Sequence, residues 1–384
     1  MFRRLLVFLY CLSLLQTANA VEDDELGLLM IADKHEQQLR TSPARIKDPR
    51  LEDLISDMVC NISAQDCSSV RSYVLRAPGL NAFMMPNGAM FLQTGLLLRM
   101  TSDSELASVI GHEIVHYTES HNLKSMRSRR KAQKVVSLLS IPVNIAGGPL
   151  ASTPLSLIGA AYLSSYSKSA EQEADIKGIK LIREAGYNPK AVMRVWGNYA
   201  NESEAAGSRA MSIFSTHPMV SERLDYLDEY VKNNVSNAGS ADASESRLVI
   251  DHIDLSRSEL LSDEMRSMTP RRFNILLNNQ RKFSSLSSGT LDYLCASSWV
   301  LAMKRDDRSV EENEEAGLQA SACFERGAQS KEGMPAIGYR EWAKLSEKMN
   351  KKCRAKRAYQ AYLEREPDAW DSKFVSKRLG KLAC

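Results

Sequence analysis

Two histidines four residues apart, with a glutamate beside the first, constrain this chain more than any other feature: Gly111-His112-Glu113-Ile114-Val115-His116. The surrounding pattern predicts a helix from Ser102 to about Met126. Leu106, Val109, Ile110 and Tyr117 form one apolar face, and Ser102 with Glu105 reads as a capping box. Residues i and i+4 of a helix project from one face about one turn apart, so two imidazoles can grip one ion. Neutral imidazole suits tetrahedral Zn²⁺. Glu113, offset by one residue, reaches the water at the metal rather than the metal, which is where a general base is needed. A catalytic zinc also requires a third protein ligand and an open position. The chain must therefore fold a distant element against this helix.

Three places can supply that ligand. His121 is near in sequence, but the metzincin pattern places its third histidine at position 122, which is Asn122, and a glycine at 119, which is Glu119. On a continuous helix residue 121 is rotated about 140° from His116, so His121 reads as a satisfied surface or core histidine. Glu171-Gln172-Glu173-Ala174-Asp175 lies on a second predicted helix, about Ser164 to Ala185. Glu171 and Asp175 share a face there. One of them can bind the metal while the other hydrogen-bonds a ligand histidine, and Glu171 is favoured as the ligand over Glu173. His217, in Ser215-Thr216-His217-Pro218, can stabilise an oxyanion or fill the open metal position; a simple helix cap is the alternative.

The ends and the cysteines bear on compartment. Arg3 and Arg4, the apolar run Leu5–Leu15 and Ala18-Asn19-Ala20 read as a secretory signal, with cleavage expected after Ala20; an uncleaved anchor is the alternative. The seven cysteines then become six, Cys60, Cys67, Cys295, Cys323, Cys353 and Cys384. An even number in an exported chain favours disulfides, most simply between neighbours: Cys60–Cys67, Cys295–Cys323 and Cys353–Cys384. The formal charge of +3 over 384 residues drops to +1 without the leader. That excludes the clustered basic excess of a nucleic-acid-binding protein, and ordinary globular composition excludes disorder and multiple membrane spans.

Further organisation is local. Asn81–Met85 and Ala89–Leu92 flank Pro86-Asn87-Gly88 and predict a hairpin. Residues 135–167 carry no charge and are broken by Pro142, Pro149 and Pro154. They read as buried helices and loops walling a cleft, with a membrane-facing element as the alternative. Lys232–Ser246 has almost no large apolar residues and reads as a linker. Beyond it all is helical. Gly338–Leu345 and Ala358–Leu363, followed by Pro367, loosely resemble a tetratricopeptide helix pair, although the roughly 34-residue period is not visible.

Taken in order, Gln93-Thr94-Gly95-Leu96-Leu97, the stretch Glu105–His116, Glu171 with Ala174, Asp175 and Gly178, and Thr216-His217-Pro218 resemble the gluzincin-type HExxH zinc metallopeptidases. That family includes the membrane CAAX prenyl protease, the mitochondrial overlapping-activity protease and the periplasmic β-barrel assembly-enhancing protease, and the layout is most like the last. The resemblance covers about residues 26–235. It implies His112, His116 and Glu171 as ligands of one Zn²⁺ per chain and Glu113 as the catalytic carboxylate. It further implies catalytic roles for Asp175, which hydrogen-bonds a ligand or donates a proton, and for His217, an additional regulatory ligand. The strand at Ala89–Leu92 matches the sheet edge that holds substrate by strand addition. The C-terminal part is shorter than in the periplasmic relative.

The expected fold is mainly α with a small β-hairpin or sheet, an α+β zincin-like peptidase domain followed by an all-α, tetratricopeptide-like C-terminal domain. The expected boundaries are a signal peptide at 1–20, the peptidase at 21–235, a linker at 236–247 and the helical domain at 248–384. The expected function is a periplasmic zinc endopeptidase acting on unfolded or misassembled envelope proteins. Contact with envelope assembly machinery and a peripheral membrane contact belong to this expectation; nucleic acid does not. A chaperone or adaptor working through the C-terminal helices, with a latent peptidase, is the alternative.

Overall fold

The computed structural model describes residues 25–128, 166–206, 221–235, 246–305 and 308–383. The chain divides into two compact units, one of Met1–Asn198 and Ala210–Val249, the other of Tyr199–Arg209 and Ile250–Cys384.

The first unit begins with helix α1 (25–40), strand β1 (Arg45–Ile46) and helix α2 (Pro49–Ile62). α2 starts where the local chemistry requires: the Asp48 carboxylate accepts from the Leu51 N–H and Pro49 occupies the first turn. Cys60, in its last turn, is bonded to Cys67 in the loop that follows. Strands β2 (Arg71–Leu75), β3 (Ala82–Met84) and β4 (Ala89–Gln93) follow. The sheet runs β1-β2-β4-β3, with β2 parallel to β4 and the other pairs antiparallel.

The predicted hairpin is β3–β4. Its turn requires glycine: Gly88 has φ +85°, and a Cβ there would overlap the Ser69 carbonyl oxygen. The edge assignment of Ala89–Leu92 is corrected. β4 is paired on both sides, by β2 and by β3, so its backbone groups are occupied. Ala89, Met90, Phe91 and Leu92 are all buried, so both faces of β4 are covered. Phe91 stacks between Tyr73 and Phe83, with centroids 5.1 and 5.2 Å away. The outer strand beyond β4 is β3.

Helix α3 (Thr94–Leu97) leads into α4 (Asp103–Thr118). Two details differ from the sequence reading. Ser102 is the N-cap residue but makes no side-chain cap bond; the Glu105 carboxylate instead accepts from the Thr101 N–H and from Arg194. The helix also does not continue to Met126. Ser120 adopts φ +54°, and a separate helix, α5 (121–128), follows the turn. Helices α6 (Lys168–Glu184), α7 (Ala191–Ala206) and α8 (Ser221–Val235) follow. α6 is capped by Ser167, which accepts from the Ala170 N–H.

The second unit is helical: α9 (Leu248–Asp254), α10 (Arg257–Ser267), α11 (Pro270–Phe283), α12 (Ser288–Ala302), α13 (Val310–Gln329), α14 (Ala336–Lys348), α15 (Lys352–Arg365) and α16 (Ser372–Leu379). α12 packs on α13 and α14 on α15, so Gly338–Leu345 and Ala358–Leu363 lie on a packed helix pair. Cys295 and Cys323 bond α12 to α13. The third expected bridge involves Cys384, outside the described residues. No described helix is long and apolar enough to cross a membrane.

Candidate metal centre

α4 and α6 touch at two glycines. A Cβ on Gly111 would lie 2.9 Å from Ile182 Cγ2, and one on Gly178 would lie 3.1 Å from the His112 backbone nitrogen. Absence of both side chains lets the helices meet closely enough for short side chains to converge. Glu171 of α6 then faces His112 and His116 of α4. The two Nε2 atoms are 3.0 Å apart. Glu171 Oε2 is 3.6 Å from His112 Nε2, and Oε1 is 3.5 Å from His116 Nε2. All three side chains are buried.

The donor set fits a divalent metal. Zinc–nitrogen bonds of about 2.0–2.1 Å at a tetrahedral angle put ligand atoms about 3.3 Å apart, close to the spacing found. Two imidazoles and one carboxylate also form a set used by catalytic zinc. Among the described residues, this is the group of three histidine, cysteine or acidic side chains whose donor atoms all lie within 4.8 Å of one another.

Behind the ligands lies a charged layer. His112 Nδ1 is 2.9 Å from Asp175 Oδ1. Arg223 of α8 donates two bonds to Asp175, Nε to Oδ2 at 2.7 Å and Nη2 to Oδ1 at 2.6 Å, and its Nη1 is 3.0 Å from Glu171 Oε2. The Tyr226 hydroxyl also donates to Asp175. Burial pushes the Asp175 carboxyl up, but Arg223 and His112 outweigh it and hold the group at about 2. The guanidinium lies 3.9 Å over the Trp196 ring, and Trp196 meets the His112 ring edge-on.

His116 is enclosed differently. Tyr166 stacks on its ring at 3.8 Å and donates its hydroxyl to Asn122. Burial pushes the Tyr166 phenol well up. His116 Nδ1 lies 3.0 Å from His121 Nδ1. The reading of His121 as a satisfied histidine outside the ligand set agrees with this, but the geometric argument for it does not. The break at Ser120 invalidates a rotation counted along one continuous helix and returns His121 to the back of His116. Glu173 faces away from the three donors; its Oε2 is 3.3 Å from His121 Nε2.

Glu113 is buried on α4 and lines a small, mostly apolar cavity with Leu80, Ser108, Val109, His112, Val195 and Trp196. The structure thus gathers His112, Glu113, His116, Glu171 and Asp175. His217 and most of the segment 135–167 lie outside the described residues. Sequence reasoning missed Arg223 and the part played by His121. The signal for a cation was present, since two buried carboxylates one turn apart need a positive partner, but nothing local pointed to Arg223.

Comparison with known proteins agrees with the motifs. Residues 45–231 match the model of peptidase family M48. The chain is 30% identical over 206 residues to the beta-barrel assembly-enhancing protease of Yersinia pestis, covering 51% of this chain and 42% of that protein. It is 28% identical over 161 residues to the mitochondrial metalloendopeptidase OMA1 of Schizosaccharomyces pombe (41% and 46%). It is 26% identical over 152 residues to the metalloprotease YcaL of Escherichia coli (40% and 58%). The chain spans less than half the length of the first two relatives. The matched segment lies within the one that carries the motif resemblance.

Proposed function

Because residues 45–231 belong to peptidase family M48, we propose that the chain is an exported, periplasmic zinc endopeptidase that hydrolyses peptide bonds in unfolded or misassembled envelope proteins. One observation carries the reading: the buried convergence of His112, His116 and Glu171, with Glu113 beside them at a cavity.

His112, His116 and Glu171 hold the ion. Bound zinc supplies Lewis-acid polarisation of the scissile carbonyl and acidification of a water. Glu113 takes the proton from the attacking water and delivers it to the leaving amine. Asp175 fixes the His112 ring through Nδ1, and Arg223 keeps Asp175 ionised for that task. Leu80, Val109, Val195 and Trp196 offer an apolar wall to a substrate side chain. His217 acts as an additional, regulatory ligand or oxyanion donor. The location and the envelope substrates rest on the leader and on the names of the relatives.

The test is Glu113→Gln in the full chain, assayed on a denatured outer-membrane protein. Cleavage should fall at least about 10²-fold, the lower range for a positioned acid–base group, while zinc stays bound. Cleavage at the wild-type rate with zinc bound contradicts the mechanism.

A second reading, that the C-terminal helices hold protein partners, has its own support. Trp370 and Phe374 are 90% and 74% exposed and line a groove of ≈ 540 Å³ with Arg340, Lys344 and Lys373. If Glu113→Gln still suppresses client aggregation and the further changes Trp370→Ala and Phe374→Ala abolish that, holding is an independent activity. If those changes have no effect, it is not.

A further inference from the structure

His112 has a carboxylate directly behind it. His116 has one too, but at one remove. Its Nδ1 lies 3.0 Å from His121 Nδ1, and His121 Nε2 lies 3.3 Å from Glu173 Oε2. Glu173 is in turn held by Lys177, whose Nζ is 2.7 Å from Glu173 Oε1 and also pairs with Glu119. The series runs from a fully buried ring to a solvent-facing ion pair: His116 is 0% and His121 5% exposed, whereas the side chains of Glu173 and Lys177 are 39% and 44% exposed.

The protons admit one consistent arrangement. An imidazole that binds an ion through Nε2 keeps its proton on Nδ1. His116 Nδ1 is therefore a donor, and His121 Nδ1 must accept. His121 then carries its own proton on Nε2, which donates to Glu173. The Nδ1 to which His121 bonds is the ring nitrogen opposite the one facing Glu171 and His112, so His121 supports the ligand instead of joining the ligand set.

Resting on the reading of His116 as a metal ligand, we propose that His121 and Glu173 are positioning residues of the metal centre, which fix the tautomer and ring plane of His116 and tie it to the surface pair Lys177–Glu119. Ser120 makes this possible: its left-handed conformation turns the chain so that His121 lies behind a residue only five positions earlier. The arrangement extends a general rule that the second nitrogen of a metal-bound histidine is held by a carboxylate or carbonyl.

The experiment uses the full-length chain and Zn²⁺ in competition with a chromogenic chelator, together with the melting temperature of the metal-free protein and the visible spectrum of the Co²⁺-loaded protein. Loss of such a partner weakens metal affinity by about 10–100-fold. His121→Ala should do so and alter the Co²⁺ bands, with the metal-free melting temperature near that of the wild type. His121→Asn retains an acceptor, Oδ1, close to the Nδ1 position and should restore affinity to within about threefold of wild type. Glu173→Gln should lie between the two. If His121→Ala binds Zn²⁺ as tightly as wild type, or if Asn is no better than Ala, the proposal is overturned. If the wild-type chain binds no Zn²⁺, the metal-centre reading itself fails and takes the proposal with it. Should His121→Ala not fold, Glu173→Gln decides alone, and unchanged affinity there refutes the coupling.

Discussion

Replacing Arg223 by methionine tests the charged layer behind the ligands. The guanidinium makes two short bonds to Asp175, lies 3.0 Å from Glu171 and is almost wholly buried. Methionine preserves apolar contact with Trp196 but leaves two buried carboxylates without their cation. Breaking a buried ion pair from one side costs about 3–5 kcal/mol, in line with two charged hydrogen bonds at about 1.5–3 kcal/mol each. Hydrogen exchange of peptides from α4 and α6 in the metal-free chain reads this cost locally. The double variant with Asp175→Asn should be less destabilised than the sum of the single changes, because one orphaned charge has gone. The pH dependence has a definite sign. Asp175 is held at about 2, below its ordinary 3.8. Its contribution, about 2–3 kcal/mol, is therefore complete above about pH 4 and lost as pH falls toward 2. Asp175→Asn should abolish that acid-side loss. A cost for Arg223→Met below about 1 kcal/mol, or strict additivity with Asp175→Asn, would refute this account of the layer.

Other substitutions probe the geometry that builds the site. Gly178→Ala should destabilise the chain by about 1–3 kcal/mol in thermal unfolding although alanine is the better helix former, because its Cβ meets the backbone of His112; a stabilised variant would mean that α4 and α6 are not in contact. Gly88→Ala should cost more than about 1 kcal/mol, since it combines a positive φ with a clash at Ser69; denaturant titration measures it. Ser120→Gly should keep or slightly raise stability, whereas Ser120→Val, strained at φ +54°, should lower both melting temperature and Zn²⁺ affinity. Equal behaviour of the two would contradict the role of the break.

The local chemistry of the site was legible in the sequence because its carriers are local. Spacing alone puts His112, Glu113 and His116 on one helix and Glu171 and Asp175 on another. Asn87-Gly88 marks the turn, and Cys60–Cys67 and Cys295–Cys323 pair as neighbours do. The misreadings concern relations that spacing does not encode. β4 is interior because β2, separated from it by a loop and β3, lies parallel to it. The place of His121 behind His116 was missed because one serine in a left-handed conformation follows α4, and such a residue leaves no signal as plain as glycine. Ser102 looked like half of a capping box, but Arg194 and Thr101 compete for Glu105. Arg223 lies about fifty positions from the carboxylates it serves, and only the packing of α8 on α6 brings them together.

The most direct test is the zinc content of the purified full chain and its variants at saturating metal. The account predicts one equivalent in the wild type and in Glu173→Gln, and loss of that equivalent in His112→Ala, His116→Ala and Glu171→Ala. A full equivalent retained by Glu171→Ala, or its loss from Glu173→Gln, would contradict the assignment of the third ligand and with it the metal centre described above.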